Sequence, residues 1–128
     1  MQRYFPDIYL GGENFSPKSL AKIFDVRLSH QNEKGDRNPR LNRPYSIGSC
    51  HLLPDSEFDG MEDAIRNVIA NFEEIKAYGL IKLGIEESIF TLLITGVLQG
   101  GISIKSEYAL QICKHFKTLE ITVTDEDE

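Results

Sequence analysis

The residues from Ile89 to Leu98 (IFTLLITGVL) form the longest nearly uninterrupted apolar run of the chain, and they constrain its fold most. The run is too short to cross a bilayer as a helix, which takes about 20 apolar residues. Its β-branched and aromatic residues favour a strand. Alternate strand residues point to opposite faces, and neither face here is polar. The run therefore predicts a strand in the middle of a sheet, with both faces covered. A third helix or a dimer partner would cover the second face.

Strand patterns alternate with helix starts along the rest of the chain. Besides the central run, strands are predicted over residues 1–10, 26–29, 45–53 and 119–124. Pro6 suggests an edge or the start of the first strand. Ser16 followed by Pro17 predicts a capped first helix. Gly35, Pro39 and the neighbouring asparagines predict a loop or a loosely paired hairpin over residues 30–44.

The second helix carries the clearest helical pattern. Asp59 and Glu62 are spaced as a capping box, and Gly79 is expected to end the helix in a left-handed conformation. Its apolar face recurs at helical spacing and comprises Met61, Ile65, Val68, Ile69, Phe72 and Ile75. Ser106 predicts the cap of a third helix, whose inner face would hold Tyr108, Ala109, Ile112, Cys113 and Phe116.

These elements predict an α+β fold with a mixed or antiparallel sheet on which two or three helices pack, as in a ferredoxin-like sandwich. The chain has 128 residues, which suits one domain. We expect a single domain over residues 1–124 and an acidic tail over residues 125–128.

Charge is distributed unevenly along the chain. The formal net charge is −6, and such a surface repels nucleic acid and attracts basic partners. One acidic run contains no cation and is the first candidate for a partner-binding site; it comprises Asp55, Glu57, Asp59, Glu62 and Asp63. Solubility and charge stabilisation of a helix N-terminus are the simpler interpretations of the same run.

Three arginines recur at a spacing of three in the predicted hairpin, at Arg37, Arg40 and Arg43. A basic loop of this kind can hold an anionic ligand. No aromatic residue lies among them to stack on bases, so nucleic-acid binding is not expected. Pairing with acidic residues of the same protein is the alternative interpretation.

Catalytic and metal-binding patterns are missing from the sequence. Cys50 and His51 are neighbours on a predicted strand and point to opposite faces. Cys113 and His115 lie two apart on a predicted helix and do not face each other. We expect both cysteines to be buried and reduced. With no zinc, phosphate-loop or dinucleotide motif, the sequence predicts no enzyme, no metal and no cofactor.

Three stretches together resemble the bacterial domain-of-unknown-function family four-two-seven-nine. They are ENFSPKSLAKIFDV with the following EKGDRNPR, the long amphipathic helix after its acidic lead-in, and the closing GISIKSEYALQICKHFKTLEITVTD. The matching positions are Phe15, Ser16, Pro17, Leu20, Lys34, Gly35, Asp36, Ile102, Ser103, Ile104, Ser106 and Leu110. The resemblance implies a small cytosolic bacterial protein, and some members look like immunity proteins that neutralise secreted toxins.

Taken together, the residues and the resemblance predict a cytoplasmic immunity protein that binds a basic toxin, such as a nuclease. The alternative is a regulatory domain that senses an anionic small molecule near the Arg-rich loop. The N-terminus lacks the pattern of a signal peptide, so no membrane association is expected. A monomer or a homodimer fits either hypothesis.

Overall fold

The computed structural model describes residues 3–96 and 103–124. It contains a five-stranded sheet, a separate two-stranded ribbon and four helices. In chain order the elements are β1 (Arg3–Gly12), α1 (Pro17–Ile23), β2 (Arg27–Asn32), β3 (Arg37–Asn38), β4 (Arg43–Pro44), β5 (Gly48–Leu53), α2 (Met61–Tyr78), α3 (Leu80–Leu83), β6 (Glu87–Thr95), α4 (Ser106–His115) and β7 (Leu119–Thr124). Of these, α3 was not predicted from the sequence.

The main sheet has the strand order β2-β5-β1-β6-β7. Each neighbouring pair among the first four of these strands is antiparallel. Helices α1 and α2 connect them as in the split β-α-β arrangement of ferredoxin-like folds. β7 adds a fifth strand parallel to β6, which it follows through α4. The predicted α+β class with helices packed on a mixed sheet is therefore confirmed.

The hydrophobic core lies on one side of this sheet. The stripe of α2 packs there, with Phe72 at its centre. The ring centroid of Phe116 lies 4.7 Å from that of Phe72 and 5.7 Å from that of Phe90 on β6. Tyr108 and Ile112 on α4 belong to the same cluster. The predicted helical faces of α2 and α4 thus meet in a single apolar layer.

The opposite face of the sheet, called the open face below, carries partly exposed side chains that no described helix covers. The predicted cover by the third helix is therefore wrong, whereas cover by a dimer partner stays a prediction. β6 is an inner strand as expected, with Phe90, Leu92 and Ile94 buried. On the other face Leu93 is 37% exposed, and Phe5 beside it is 39% exposed. The predicted third helix, which is α4 in the structure, does not cover this face. Its apolar side chains pack instead in the core cluster that contains Phe72, on the other side of the sheet. Val97 and Leu98 lie outside the described residues.

Local contacts at the helix ends confirm one predicted cap and correct two. Ser16 accepts a hydrogen bond from the Ser19 N–H at 3.2 Å, as an N-cap should. Asp59 is not a cap, since α2 begins one residue later than predicted and has Gly60 at its N-cap without a side-chain bond. Likewise α4 has Lys105 at its N-cap, so Ser106 is already helical.

Two further predictions concern the position of a residue in the sheet. Pro6 lies near the start of β1, which is one of the two predicted positions, and β1 is the central strand and not an edge. Pro6 is tolerated there because β1 pairs with β5 only from Ile8 onward. Cys50 is buried as predicted, but Cys113 is exposed because it lies off the buried stripe of α4.

The remaining predictions concern the hairpin, the chain end and membrane spanning. The predicted hairpin exists as the ribbon of β3 and β4. The acidic tail over residues 125–128 lies outside the described residues. Within the described ranges, no helix has the length and apolar character needed to cross a membrane.

Candidate functional site

A polar cluster occupies the centre of the open sheet face. Asp7 and Thr91 are directly opposite each other on β1 and β6, and the Thr91 hydroxyl donates to Asp7 Oδ1 at 2.5 Å. The same carboxylate oxygen lies 3.0 Å from Nδ1 of His51 on β5. Because the Asp7 carboxylate accepts from Thr91 and contacts Nδ1 of His51, the orientation of the His51 ring is fixed through Nδ1.

A second histidine is brought to this cluster by an irregular strand. The pairing of β2 with β5 shifts register between Ser29 and Asn32, which marks a β-bulge. His30 lies in this bulge with φ +49°, a conformation that few residues other than glycine adopt. Its ring meets the edge of the His51 ring at a centroid distance of 5.2 Å. The bulge thus turns His30 towards the ring that Asp7 orients.

A groove of about 320 Å³ adjoins the cluster. It lies beside the first residues of β1 and the end of β5. Its polar lining combines two arginines with three carboxylates, namely Arg3, Arg27, Asp7, Glu57 and Asp59. Its apolar lining includes Phe5, Leu53, Pro54 and Phe58. Ligand sites typically have this size and this mixture of apolar walls with a few polar groups.

The five acidic residues predicted as a partner site do not form one uniform surface. Hydrogen bonds from the amides of Asn67 and Asn71 hold the pKa of Asp55 below its usual range. Asp63 pairs with Arg66 at 3.3 Å, and Glu62 pairs with Lys105 at 3.5 Å. Glu57 and Asp59 are the two that line the groove. The carboxylates that face the open sheet region are therefore fewer than the sequence indicates.

The three arginines of the predicted ligand site are exposed on the β3–β4 ribbon and do not converge. Arg43 lies opposite Asn38 and Arg37 lies opposite Pro44, so the register places the two arginines on opposite faces. Arg37 also donates to the side chain of Asn42. None of the three lines the groove, where Arg3 and Arg27 are found instead.

Sequence reasoning missed the Asp7–His51–Thr91 cluster, although part of its signal was present. Asp7 alternates with buried Ile8, and His51 with buried Cys50, so each belongs to the solvent face of its strand. Their meeting depends on the register of three strands that are far apart in sequence. Alternation assigns a residue to a face, but it does not identify the neighbour across the strand.

The groups at this site supply hydrogen bonding and charge for the recognition of a ligand or partner. Among the described residues, the His51 side chain hydrogen-bonds to Asp7 and not to a serine, threonine or cysteine nucleophile. The Cys50 thiol points into the core, where burial, and to a lesser degree the charge of Glu33, raises its pKa to about 12. The described part of the chain also holds no cluster of three or more side chains suited to a metal ion.

Comparison with known proteins finds no family model, no curated protein and no solved structure that matches the chain.

Proposed function

We propose that this chain is a protein-binding inhibitor, most concretely an immunity protein that neutralises a basic bacterial toxin in the cytoplasm. The observation that carries the proposal is the open sheet face, where the large apolar side chains of Phe5 and Leu93 are partly exposed. Glu57 and Asp59 line the adjoining groove. Apolar centres with polar rims are the usual anatomy of protein interfaces.

The charge of the chain supports a basic partner. The net charge is −6, and two exposed carboxylates, Glu87 and Glu120, belong to the open face by their strand register. Opposite charges steer association and disfavour wrong partners. A toxin that binds nucleic acid carries a cationic surface, which this face would occupy by charge and shape.

The polar cluster supports a rigid binding surface. Because Asp7 is bonded to both Thr91 and His51, little side-chain freedom remains to be lost when a partner binds. Both cysteines are free, which suits a reducing compartment such as the cytoplasm.

The test begins with the tagged protein expressed in the bacterium that encodes it. Proteins that copurify are identified by mass spectrometry, and each candidate is then purified and mixed with the chain. We expect a stoichiometric complex in which the toxicity or nuclease activity of the partner is lost. If a purified candidate forms a complex and keeps its full activity, the inhibitory role is wrong.

Two matched pairs of variants test the surface. Leu93→Asp on the open face should weaken the complex, whereas Ile81→Asp on α3, at a side chain that is 94% exposed, should not. Likewise the double change Glu57→Lys and Asp59→Lys should weaken it, and Glu74→Lys on α2 serves as its control. Equal affinities within both pairs would contradict the proposed surface.

The second candidate function is recognition of a small anionic ligand, and the groove favours it through Arg3 and Arg27. A thermal-shift screen of anionic metabolites distinguishes the two functions, since a ligand that binds the folded state raises the melting temperature. Arg27→Ala should abolish such a shift, and Arg40→Ala on the ribbon should not. The reverse result would assign the ligand to the Arg-rich loop.

A further inference from the structure

β7 ends the sheet with a line of large apolar side chains. Leu119, Ile121 and Val123 lie on the helix side of this strand, where they are 41%, 46% and 45% exposed. Within the described residues β7 has a neighbour only on its β6 side. Leu110 on the preceding helix α4 is also exposed. Apolar surface and an open strand edge therefore coincide.

The backbone direction shows which residues present their polar groups outward. The carbonyl of Thr124 accepts from the Gly96 N–H at 3.1 Å on the β6 side. Backbone groups of alternate residues point to opposite sides of a strand, so Glu120 and Thr122 also face β6. The N–H and C=O groups of Leu119, Ile121 and Val123 point away from the sheet.

Among residues 3–96 and 103–124, this edge has none of the covering elements, bulges, lysines or prolines by which proteins prevent edge pairing, and its one charged residue is Glu120. β7 (LEITVT) contains no lysine and no proline, and its register with β6 is regular. Exposed edges are normally protected by such residues, by bulges or by a covering element. An unprotected edge is complementary first of all to the same edge on another copy.

We propose that β7 is a homodimer interface, in which two copies pair their β7 strands antiparallel about a two-fold axis at Ile121. Residues directly opposite each other in an antiparallel pair share a face. The helices of both copies must then lie on the same side, and Leu119 of one copy lies opposite Val123 of the other. Each outward-facing pair exchanges two N–H···O=C bonds.

Charge and burial select this register over its neighbours. Here Glu120 lies opposite Thr122 of the second copy. A shift of the axis to Glu120 would place the two glutamates directly opposite each other, which is unfavourable. A shift to Thr122 would remove Leu119 from the pairing. The axis at Ile121 is the register that covers all three apolar side chains without facing like charges.

The dimer would join five strands from each copy into one continuous sheet. The apolar residues of β7 would extend the helix-side core across the axis. The open face of each copy would stay uncovered, so the interface is independent of the inhibitory function proposed above.

The first test is the mass in solution, measured by light scattering across a dilution series. The chain has a mass of 14.5 kDa, and we expect a species of twice that mass. Ile121→Lys should raise the dimer dissociation constant roughly tenfold or more, and Ile81→Lys should leave it unchanged. Circular dichroism of both variants establishes that each is folded.

The second test reads the register by disulfide formation in a Cys113→Ser background. Opposed residues that are not hydrogen-bonded lie about 4.5 Å apart at Cα, within disulfide reach. The double variant Glu120→Cys and Thr122→Cys should cross-link into dimers on oxidation. Each single variant should not, because its new cysteine would face the native residue.

The outcomes separate the alternatives. Cross-linking of Glu120→Cys or Thr122→Cys alone would overturn the register at Ile121. A dimer that survives Ile121→Lys would assign the interface to another surface, such as the open face. A monomer at every concentration, without cross-linking of the double variant, would overturn the proposal.

Discussion

The two cysteines differ because Cys50 lies within the apolar core, whereas Cys113 lies off the buried stripe of α4. Cys50 is buried with its pKa raised to about 12, whereas Cys113 is exposed on α4. Since the thiolate is the reactive form, one thiol per chain should react with a thiol reagent in the native protein. The second should react only on unfolding. Cys113→Ser should remove the fast reaction, and persistence of that reaction would contradict the burial of Cys50.

His115 makes the fold sensitive to acid. Burial, and then the charges of Lys76 and Lys114, lower its pKa, although Glu73 opposes them. The ring lies against Phe72, and its Nδ1 is 3.1 Å from Lys76 Nζ. The neutral ring is therefore favoured in the folded state. Its contribution to stability is complete above the unfolded-state pKa of about 6.5 and is lost as the pH falls through the folded value.

His115→Gln should therefore reduce the loss of stability on acidification. Urea denaturation between about pH 8 and about pH 5 measures this slope. Lys76→Met should also reduce the slope, because it removes a cation that disfavours the protonated ring. Slopes equal to that of the wild type in both variants would contradict the assignment.

At the scale of the element, hydrogen bonding distinguishes the predicted cap at Ser16, which is observed, from the predicted cap at Asp59, which is not. Ser16 bonds the Ser19 N–H and donates to Glu33, while Asp59 precedes the N-cap of α2 and bonds no helix N–H in the described contacts. Ser16→Ala should cost about 1 kcal/mol of unfolding free energy. Asp59→Ala should stay within about 0.5 kcal/mol. Chemical denaturation measures both, and a larger cost at Asp59 would restore the capping-box interpretation.

At the scale of the molecule, helices cover one face of the sheet, and side chains on the open face are partly exposed. Two neighbouring leucines of β6 test this difference in burial. Leu92 is buried against the helices, whereas Leu93 points to the open face. Leu92→Ala should cost about 2–5 kcal/mol of unfolding free energy. Leu93→Ala should cost less than about 1 kcal/mol. Similar melting temperatures for the two variants would mean that the open face is covered in solution.

The sequence by itself determined most of the elements, except α3, and the apolar face of α2. The stripe of α2, the strand β6 (Glu87–Thr95) within the predicted apolar run and the Ser16 cap follow from spacing and from local hydrogen bonding, which nearby residues decide. It also placed Cys50 and His51 on opposite faces. The α+β class with a mixed or antiparallel sheet followed from the alternation of these elements, whereas the order of the strands in the sheet came from the structure.

Only the tertiary structure decided what lies against each face. Two apolar faces of β6 look alike in sequence, yet one is covered and the other is open, because α4 packs beside α2. The meeting of Asp7, His51 and Thr91 and the separation of Arg37 from Arg43 depend on strand register. Register is set by turns and packing across the whole sheet, and these involve residues far apart in the chain.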